Sequence, residues 1–418
     1  MLDIKFIREK PKEVQKAAKN KGVDADIEKI IAVDLNYRKA IYDVQNIHED
    51  INLLNKKISG RPTEEQLESA GQWKKDLRGK EKSARGFEEE LRKLLLQIPN
   101  LPKPDVKVGK DESENEVIRA NGDPTKFAFN PKDHLGLGEA LDIIDVKRAV
   151  KVSGTRFGYL KNEGVLLEFA LQQFAFDFLL REGFIPVIPP VLIKKDVMKK
   201  LGYMQNGGGE DMFNIQKDEL FLVGTSEQSI VPMFKDEVLK KEELPKRFVG
   251  FSTCFRRESG SYGKDTRGIF RVHQFDKVEM VSFTTEDQDD KEHEYLLSLE
   301  EKLWQALEIP YQVVKMCTGD LGFPVARKYD IEAWIPSQNK YREVTSASTT
   351  TDFQARRLNI RYQDGNEKKF VHILNGTAFA IGRTIIAILE NYQQKDGSVE
   401  IPKVLQKYVG KTSIKPKK

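Results

Sequence analysis

The stretch FRRESGSYGKDTRGIFRVHQFDKVE, residues 255–279, decides how the fold of this chain is interpreted. Two runs typical of β-strands flank a glycine-containing loop, and arginines stand at 256, 257, 267 and 271. Guanidinium groups on adjacent strands can bind phosphate oxygens in pairs, and a sheet holds them accurately enough for phosphoryl chemistry. The stretch therefore predicts a β-hairpin with a cationic mouth. Its alternating Arg and Glu are equally compatible with cross-strand ion pairs on a solvated face.

The chain lacks the common nucleotide-binding motifs. No G-x-x-x-x-G-K-[ST] occurs, and GLGEAL at Gly136 places Leu141 where the dinucleotide fingerprint needs glycine or alanine. The five histidines show no metal-binding spacing, and Cys254 and Cys317 are too few for a four-thiolate zinc site or a disulfide framework. An ATP site would therefore depend on the arginines, and no zinc is expected.

The region around residues 255–279 is predicted to be an α+β domain. Helical patterns cover residues 135–150 and 166–182. Strand-like runs follow as FIPVIPPVLI, RFVGFSTCFR and IFRVHQFDKVEMVSF, separated by turns rich in Pro and Gly. Because helices and strands do not alternate regularly, we expect an antiparallel β-sheet flanked by helices.

The N-terminal part contains two heptad stripes. The first joins Ile30 to Ile58 and the second joins Ala70 to Ile98, with apolar residues also at most of the intermediate seam positions. Between them, SGRPT breaks the helix, and Thr63 with Gln66 has the spacing of a capping box. We expect an antiparallel coiled-coil arm over residues 28–97 that projects by about 45 Å. Heptads of this kind can also mediate dimerisation.

Prolines and acidic residues between positions 98 and 117 are typical of a linker. This places a domain boundary near residue 105, between an N-terminal domain, 1–105, and a catalytic domain, 106–418. The 418 residues exceed what one core usually supports, and the net charge of +4 is small for a dedicated nucleic-acid binder. No signal peptide or long apolar segment is present, so we expect a cytoplasmic protein without membrane contact.

Residues 255–279 resemble motif 2 of the class II aminoacyl-tRNA synthetases, and DTRG followed by HQFDKVE is similar to the bacterial-type seryl-tRNA synthetases. The resemblance extends through GTSEQ at 224–228, TDFQARR at 351–357 and motif 3 at 374–392. GFIPVIPPVL, residues 183–192, resembles motif 1. The similarity covers essentially the whole chain, including the arm.

The resemblance implies a homodimer formed through motif 1 and an arm that binds tRNA. It also implies a reaction in two steps. L-serine and ATP would form seryl-adenylate and pyrophosphate, and serine would then pass to the 3′ end of serine tRNA, and of selenocysteine tRNA where that exists. The serine carboxylate is already anionic, so the first step needs positioning and charge stabilisation and no general base.

The resemblance also assigns residues, with Arg256 and Arg383 as the catalytic pair. Arg256 would contact the α-phosphate and the serine carboxylate, Phe275 and Arg383 would enclose the adenine, and Glu258 would recognise its amino group. The full ATP-binding set comprises Arg256, Arg257, Glu258, Arg271, Val272, Phe275, Glu343, Val344, Thr345, Ser346 and Arg383. Glu343 and Ser346 would bind Mg²⁺ together with ATP. The serine-binding set comprises Thr225, Ser226, Glu227, Arg256, Glu279, Asn375 and Thr377.

Five positions depart from the family pattern, and Ala378 is the most relevant, because glycine is frequent there beside the serine pocket. The other four are Arg257, Ser259, Ala347 and Thr349. Two alternatives use the same motifs: a paralogue similar to the amino acid:carrier-protein ligases, and a non-catalytic RNA-binding protein. The arm and the missing zinc ligands oppose the first. The second is opposed by the intact Arg256, Glu258, Glu279, Glu343 and Arg383.

Overall fold

The computed structural model describes the chain except residues 58–59, 61, 206–207, 260–267 and 418. The chain divides into two compact units, Met1–Pro99 and Asn100–Lys418. This division lies before the boundary predicted near residue 105. The reason is Asn100, whose side-chain amide donates to the carbonyl oxygens of Pro324 at 3.0 Å and Thr350 at 2.8 Å. The start of the linker is thus part of the second unit.

The first unit is helical. Its helices are α1 (Ile4–Glu9), α2 (Pro11–Asn20), α3 (Ile27–Lys57) and α4 (Glu64–Leu95). Thr63 caps α4 as predicted: its hydroxyl accepts from Gln66 N, and the Gln66 side chain accepts from Thr63 N. The rest of the predicted turn, with Ser59 and Arg61, lies largely outside the described residues.

Helices α3 and α4 pair along the predicted heptad stripes and run antiparallel, since Lys80 pairs with Asp43 at 2.6 Å and Lys29 with Glu90 at 3.7 Å. Stripe residues near the base of the hairpin are buried: Ile30, Val33, Ala40, Ala84 and Leu91. Towards the tip the stripe is only half-buried. The coiled-coil prediction is confirmed, although Ile58 falls outside the described residues.

The second unit holds both helices and many strands. The helices are α5 (His134–Ala140), α6 (Val146–Ser153), α7 (Glu163–Arg181), α8 (Lys195–Leu201), α9 (Glu227–Ile230), α10 (Asp289–Ala306), α11 (Phe353–Leu358), α12 (Ile381–Asn391) and α13 (Lys403–Val409). The strands are β1 (Glu116–Asn121), β2 (Ile144–Asp145), β3 (Tyr159–Leu160), β4 (Ile185–Val187), β5 (Leu192–Lys194), β6 (Asn214–Ile215), β7 (Leu220–Leu222), β8 (Val238–Lys240), β9 (Lys246–Phe255), β10 (Gln274–Thr284), β11 (Tyr311–Lys315), β12 (Arg327–Ile335), β13 (Lys340–Thr349), β14 (Arg361–Asp364), β15 (Glu367–Phe370), β16 (His372–Ala380), β17 (Val399–Glu400) and β18 (Ser413–Ile414).

Within the described residues, eight strands form the main sheet in the order β1-β11-β12-β13-β16-β10-β9-β4. All neighbours pair antiparallel except β4 and β9. Helices α7 and α10 pack on this sheet. The ring centroid of Phe379 on β16 lies 6.1 Å from that of Phe174 on α7 and 6.2 Å from that of Trp304 on α10. The predicted α+β class with an antiparallel sheet is confirmed. No helix in the described residues is long and apolar enough to cross a membrane.

The single helix predicted over residues 135–150 is wrong. The chain leaves α5 after Ala140, and Asp142 adopts a positive φ of 56° that a helix does not allow. Ile144 then pairs with Leu160 and packs so tightly on α5 that a Cβ on Gly138 would lie 2.7 Å from it. The apolar residues of this segment therefore belong to two short helices, α5 and α6, joined by the strand β2.

Candidate active site

The central β9–β10 hairpin is formed as predicted. The two strands pair from Lys246 with Phe283 to Phe255 with Gln274, and Arg256 N extends the ladder by donating to His273 O at 3.0 Å. Residues 260–267 between them, including Arg267, lie outside the described part of the chain. The hairpin therefore brings Arg256 to the end of a rigid antiparallel pair.

A cavity of ≈470 Å³ lies over the central strands β9, β10, β13 and β16. It brings together most of the residues that the resemblance assigned. Those that line it are Thr225, Glu227, Arg256, Glu258, Arg271, Val272, Phe275, Glu279, Glu343, Val344, Thr345, Ser346, Asn375, Thr377 and Arg383. Residues as distant in sequence as Thr225 and Arg383 thus line the same cavity.

Ser226 and Arg257 are not among the described residues that line the cavity. Arg257 Nε donates to Met212 O at 3.0 Å, and its guanidinium lies 4.8 Å from the Phe213 ring. Ser226 is fully buried beneath β9, beside Gly250. The assignment of these two side chains to ATP and serine is therefore without support from the geometry.

Arg256 is held in one orientation. Its Nε donates to Gly224 O at 3.1 Å, and its guanidinium lies 5.4 Å from the Phe275 ring. These contacts fix the plane of the guanidinium on the cavity wall. A group that is oriented before its ligand arrives loses less entropy on binding.

Arg383, near the start of α12, forms the second cationic group. Its NH1 donates to Glu343 O and Oε2, both at 3.0 Å, and its guanidinium lies 5.0 Å from the Phe270 ring. Enclosure by the cavity walls favours neutral Glu343, but Arg383 and Lys328 outweigh this and lower the pKa of Glu343 to about 2. Glu343 is therefore a carboxylate at neutral pH.

A β-bulge shapes the β13 side of the cavity. Ile331 pairs with Thr345 while the next residue, Glu332, pairs with Glu343, so Val344 is the extra residue. In a regular strand, positions 343 and 346 would point to opposite faces. The bulge lets the Glu343 carboxylate and the Ser346 hydroxyl face the same cavity.

Two buried carboxylates line the opposite end of the cavity. Glu279 Oε2 accepts from Thr377 Oγ1 at 2.9 Å and from Lys277 Nζ at 2.6 Å. Glu227 is also buried, and its burial raises the pKa of its carboxyl. The side chains in this part of the cavity are therefore polar and buried.

Ala378 occupies a second bulge. Val278 pairs with Phe379 and Glu279 with Thr377, which leaves Ala378 as the extra residue of β16. It is fully buried, and its φ is not positive. A backbone of this kind does not require glycine, so the alanine leaves Thr377 opposite Glu279.

Sequence reasoning missed several side chains at the site. Lys277 lies in HQFDKVE and Gln354 lies in TDFQARR. A polar side chain on a strand or helix of these motifs is the sequence signal that could have identified both residues. The Phe270 ring contacts two guanidinium groups, that of Arg342 at 4.5 Å and that of Arg383 at 5.0 Å from the ring centroid. Tyr203 lines the cavity but belongs to no motif.

Family models match two parts of the chain. Residues 1–102 match the seryl-tRNA synthetase N-terminal domain, and residues 212–392 match the class II tRNA synthetase core domain (G, H, P, S and T). The serine--tRNA ligase of Rubrobacter xylanophilus is 42% identical over 100% of this chain and 99% of its own length. That of Acidothermus cellulolyticus is 44% identical over the full length of both chains.

Solved structures agree with these sequence matches. Seryl-tRNA synthetase from Pyrococcus horikoshii, complexed with ATP, superposes with a TM-score of 0.94 at 40% identity over 100% of both chains. The cytoplasmic serine-tRNA ligase from Naegleria fowleri, in complex with AMP, gives 0.90 at 32% identity, over 100% of this chain and 99% of its own. The chain therefore belongs to the seryl-tRNA synthetase family of class II aminoacyl-tRNA synthetases.

Proposed function

We propose that this chain is a serine--tRNA ligase: it joins L-serine and ATP into seryl-adenylate and pyrophosphate, then transfers serine to the 3′ end of serine tRNA, and of selenocysteine tRNA where a cell has one. One observation carries this proposal. A single cavity is lined both by the oriented Arg256 and Arg383 and by two buried carboxylates, Glu227 and Glu279. The arginines suit a polyphosphate and the carboxylates suit an ammonium and a hydroxyl.

At the nucleotide end, Arg256 contacts the α-phosphate and the serine carboxylate, where negative charge develops during attack. Phe275 and Arg383 enclose the adenine, and Glu258 accepts from its amino group. Glu258 is oriented for this, since Arg271 NH1 lies 3.4 Å from its Oε2. Val272, Val344 and Thr345 complete the walls. The reaction needs in-line positioning and charge stabilisation, which these fixed groups provide.

The residues present fit a magnesium ion bound together with ATP. Glu343 is ionised and Ser346 offers a hydroxyl, and both are the hard oxygen donors that Mg²⁺ prefers. In the described residues, no group of three or more His, Cys, Asp or Glu side chains could hold a metal ion. Phosphate oxygens would therefore complete the coordination, and the ion would neutralise phosphate charge.

At the serine end, Thr225 and Glu227 receive the ammonium group, and Glu279, Asn375 and Thr377 surround the hydroxyl. When alanine binds in place of serine, these buried polar groups lose their hydrogen bonds to the substrate hydroxyl, which costs about 1–3 kcal/mol for each bond lost. Threonine must fit an extra methyl group against strands that cannot move. We therefore expect stronger rejection of alanine than of threonine.

Replacing Thr377 by alanine should raise the KM for serine about tenfold and leave the KM for ATP within about twofold. The Thr377 hydroxyl donates to Glu279 Oε2 at 2.9 Å, so its loss removes one donor from this buried carboxylate, which Lys277 Nζ also contacts at 2.6 Å. A lost hydrogen bond of this type costs about 1.4 kcal/mol, which corresponds to a factor of ten. Steady-state pyrophosphate exchange measures both constants. Thr125→Ala, which removes a hydroxyl that donates to Asn391 Oδ1, should change neither, since the cavity lining includes neither of these residues.

The activity itself is tested by serine-dependent exchange of pyrophosphate into ATP, followed by charging of serine tRNA. Exchange with serine and not with alanine or glycine supports the proposal. A paralogue that loads a carrier protein would exchange but would not charge tRNA. A non-catalytic RNA-binding protein would bind tRNA without exchange, and that result would end the proposal.

The N-terminal domain, residues 1–105, is proposed to bind tRNA through the arm at about 28–97. Matches of residues 1–102 to the seryl-tRNA synthetase N-terminal domain support this. Several cations on the arm are exposed, among them Lys56, Lys74, Lys75 and Arg78. We place the protein in the cytoplasm, where tRNA is charged and where the free Cys254 and Cys317 stay reduced.

We also propose a homodimer through the motif 1 region. Large apolar side chains are exposed along α7, β4 and the segment after it: Leu166, Phe169, Leu180, Ile185 and Ile188, the last with 82% of its surface accessible. Exposed apolar residues concentrated in one region mark protein interfaces. A twofold dimer would bury each of them twice.

Phe169→Asp should therefore raise the dissociation constant of the dimer at least about 100-fold. Burying a phenylalanine contributes roughly 2 kcal/mol, and a symmetric interface contains the residue twice. Sedimentation velocity across a concentration series gives the constant. Val238→Asp, which changes another exposed apolar residue, on β8, should leave the dimer intact. A monomeric wild type, or a Phe169→Asp variant that dimerises normally, would contradict this assignment.

A further inference from the structure

Tyr203 is a cavity residue for which the motifs predict no role. It follows α8, which ends at Leu201 and is capped by Gly202 in the left-handed conformation, with φ 93°. This turn directs the side chain into the cavity wall. The Tyr203 hydroxyl lies 2.7 Å from Glu227 Oε1 and 2.9 Å from Oε2, so it donates to this carboxylate.

A second neutral donor holds the same carboxylate. Gln354 on α11 is fully buried, and its Nε2 donates to Glu227 Oε1 at 3.1 Å and to Leu201 O at 3.3 Å. Its Oε1 accepts from Thr350 Oγ1 at 3.2 Å. Donors from two separate elements thus fix the plane of the Glu227 carboxylate.

The two carboxylates in this part of the cavity, Glu227 and Glu279, outnumber the ammonium group of Lys277. Glu227 and Glu279 are 3% and 2% exposed, and Lys277 Nζ is 2.6 Å from Glu279. Arg256 also faces Tyr203, but its guanidinium is oriented by Gly224 and Phe275. Glu227 is therefore stabilised by hydroxyl and amide donors, and an incoming ammonium group can supply the positive charge that this end of the cavity lacks.

We propose that Tyr203 is a positioning residue for serine recognition: its hydroxyl holds the Glu227 carboxylate in the orientation that receives the ammonium group of the substrate. This inference rests on the proposed function and assigns to it a residue outside the motifs. The Tyr203 hydroxyl acts through Glu227 and contributes to binding of the free amino acid. It does not contribute to the affinity for ATP.

The direction of the pH effect follows from the same contacts. Burial raises the pKa of Glu227, and the hydrogen bond from Tyr203 opposes that rise, as does the one from Gln354; Glu279 raises the pKa and Lys277 lowers it. Burial also raises the pKa of Tyr203 well above its usual range, so the hydroxyl remains a donor. Only ionised Glu227 attracts an ammonium group. Consequently kcat/KM for serine should fall as the pH falls through the pKa of Glu227.

The test is Tyr203→Phe, which removes one oxygen atom. We expect the KM for serine in pyrophosphate exchange to rise about tenfold, while kcat and the KM for ATP stay within about twofold. The acidic limb of kcat/KM for serine should move to higher pH, because Glu227 loses the donor that favours its ionised form. This limb is normalised to each variant's own maximum, so partial loss of folded protein does not affect it.

Tyr408→Phe is the matched control, since the Tyr408 hydroxyl donates to Asp177 at 2.7 Å away from the cavity lining. It should alter neither the KM for serine nor the limb. An unchanged KM and limb in Tyr203→Phe would overturn the inference, as would an equal rise in the KM for ATP. Wild-type protein without serine-dependent exchange would instead overturn the proposed function.

Discussion

Arg256→Ala should lower kcat/KM for serine-dependent pyrophosphate exchange by about 100- to 1,000-fold. In the proposed reaction Arg256 contacts the α-phosphate and the serine carboxylate, and both carry negative charge as the new bond forms. Removing one oriented donor to developing charge in a water-poor site costs about 3–4 kcal/mol, and each 1.4 kcal/mol is a factor of ten. The loss should appear in kcat as well as in the KM values.

Orientation of the guanidinium is part of this expectation. Arg256 is fixed by Gly224 O and by the Phe275 ring, so its plane is set before ATP binds. A lysine at this position retains the charge but offers neither the planar fork nor the aromatic stacking. Arg256→Lys should therefore recover only a small part of the lost rate. Full recovery by lysine would show that charge alone is sufficient.

The adjacent Arg257 is a control within the same hairpin. Its side chain contacts Met212 and Phe213 and is not among the described residues that line the cavity. Arg257→Ala should change kcat/KM by less than about fivefold. If Arg257→Ala and Arg256→Ala were equally inactive, the division of roles between the two arginines would be wrong. Thermal unfolding of both variants separates loss of folding from loss of chemistry.

The two arginines also show where the sequence is informative and where it is not. The strand-like runs around residues 255–279 predict the hairpin, because local propensity and tertiary pairing agree there. The heptads predict α3 and α4 for the same reason. Which of two consecutive arginines faces the cavity depends on where β9 ends and on the loop carrying Met212 and Phe213. That long-range contact has no local signal.

Other differences have equally specific causes. The Glu343 and Ser346 pair faces one cavity only because of the bulge at Val344, which pairing with β12 creates. The helix predicted over 135–150 is interrupted by pairing of Ile144 with Leu160, a contact invisible to helical periodicity. Tyr203 reaches Glu227 through a turn at Gly202 in a segment without a motif. Tertiary contacts therefore decide what periodicity and family motifs leave open.

Excising the outer arm should separate the two steps of the reaction. Removing residues 44–79 and joining Asp43 to Lys80 through about six Gly and Ser residues should leave pyrophosphate exchange within about twofold. These two side chains are in contact at 2.6 Å, and a linker of six residues spans up to about 20 Å. The buried base of the hairpin, with Ile30, Val33 and Leu91, is retained. The N-terminal unit should therefore stay folded.

Charging of serine tRNA by the excised protein should fall about a thousandfold in kcat/KM. Several exposed cations leave with the segment, among them Lys56, Lys74, Lys75 and Arg78. Each phosphate contact releases about 0.7–0.9 counterions, so their combined loss weakens binding and flattens its dependence on salt. Measuring KM for tRNA between low and physiological salt resolves both effects.

A triple change of Lys74, Lys75 and Arg78 to glutamine tests whether charge on α4 is responsible. These side chains are exposed, so the substitutions should not disturb the seam between α3 and α4. The matched control changes Lys12, Lys16 and Lys19 on α2, which removes the same charge from the same unit outside the arm. Only the α4 variant should reduce the slope with which the logarithm of KM for tRNA depends on the logarithm of the salt concentration. Equal effects of the two triple variants would show that net charge, not the arm, attracts the tRNA. In the excision experiment, normal charging of serine tRNA would show that the arm is not needed for tRNA binding.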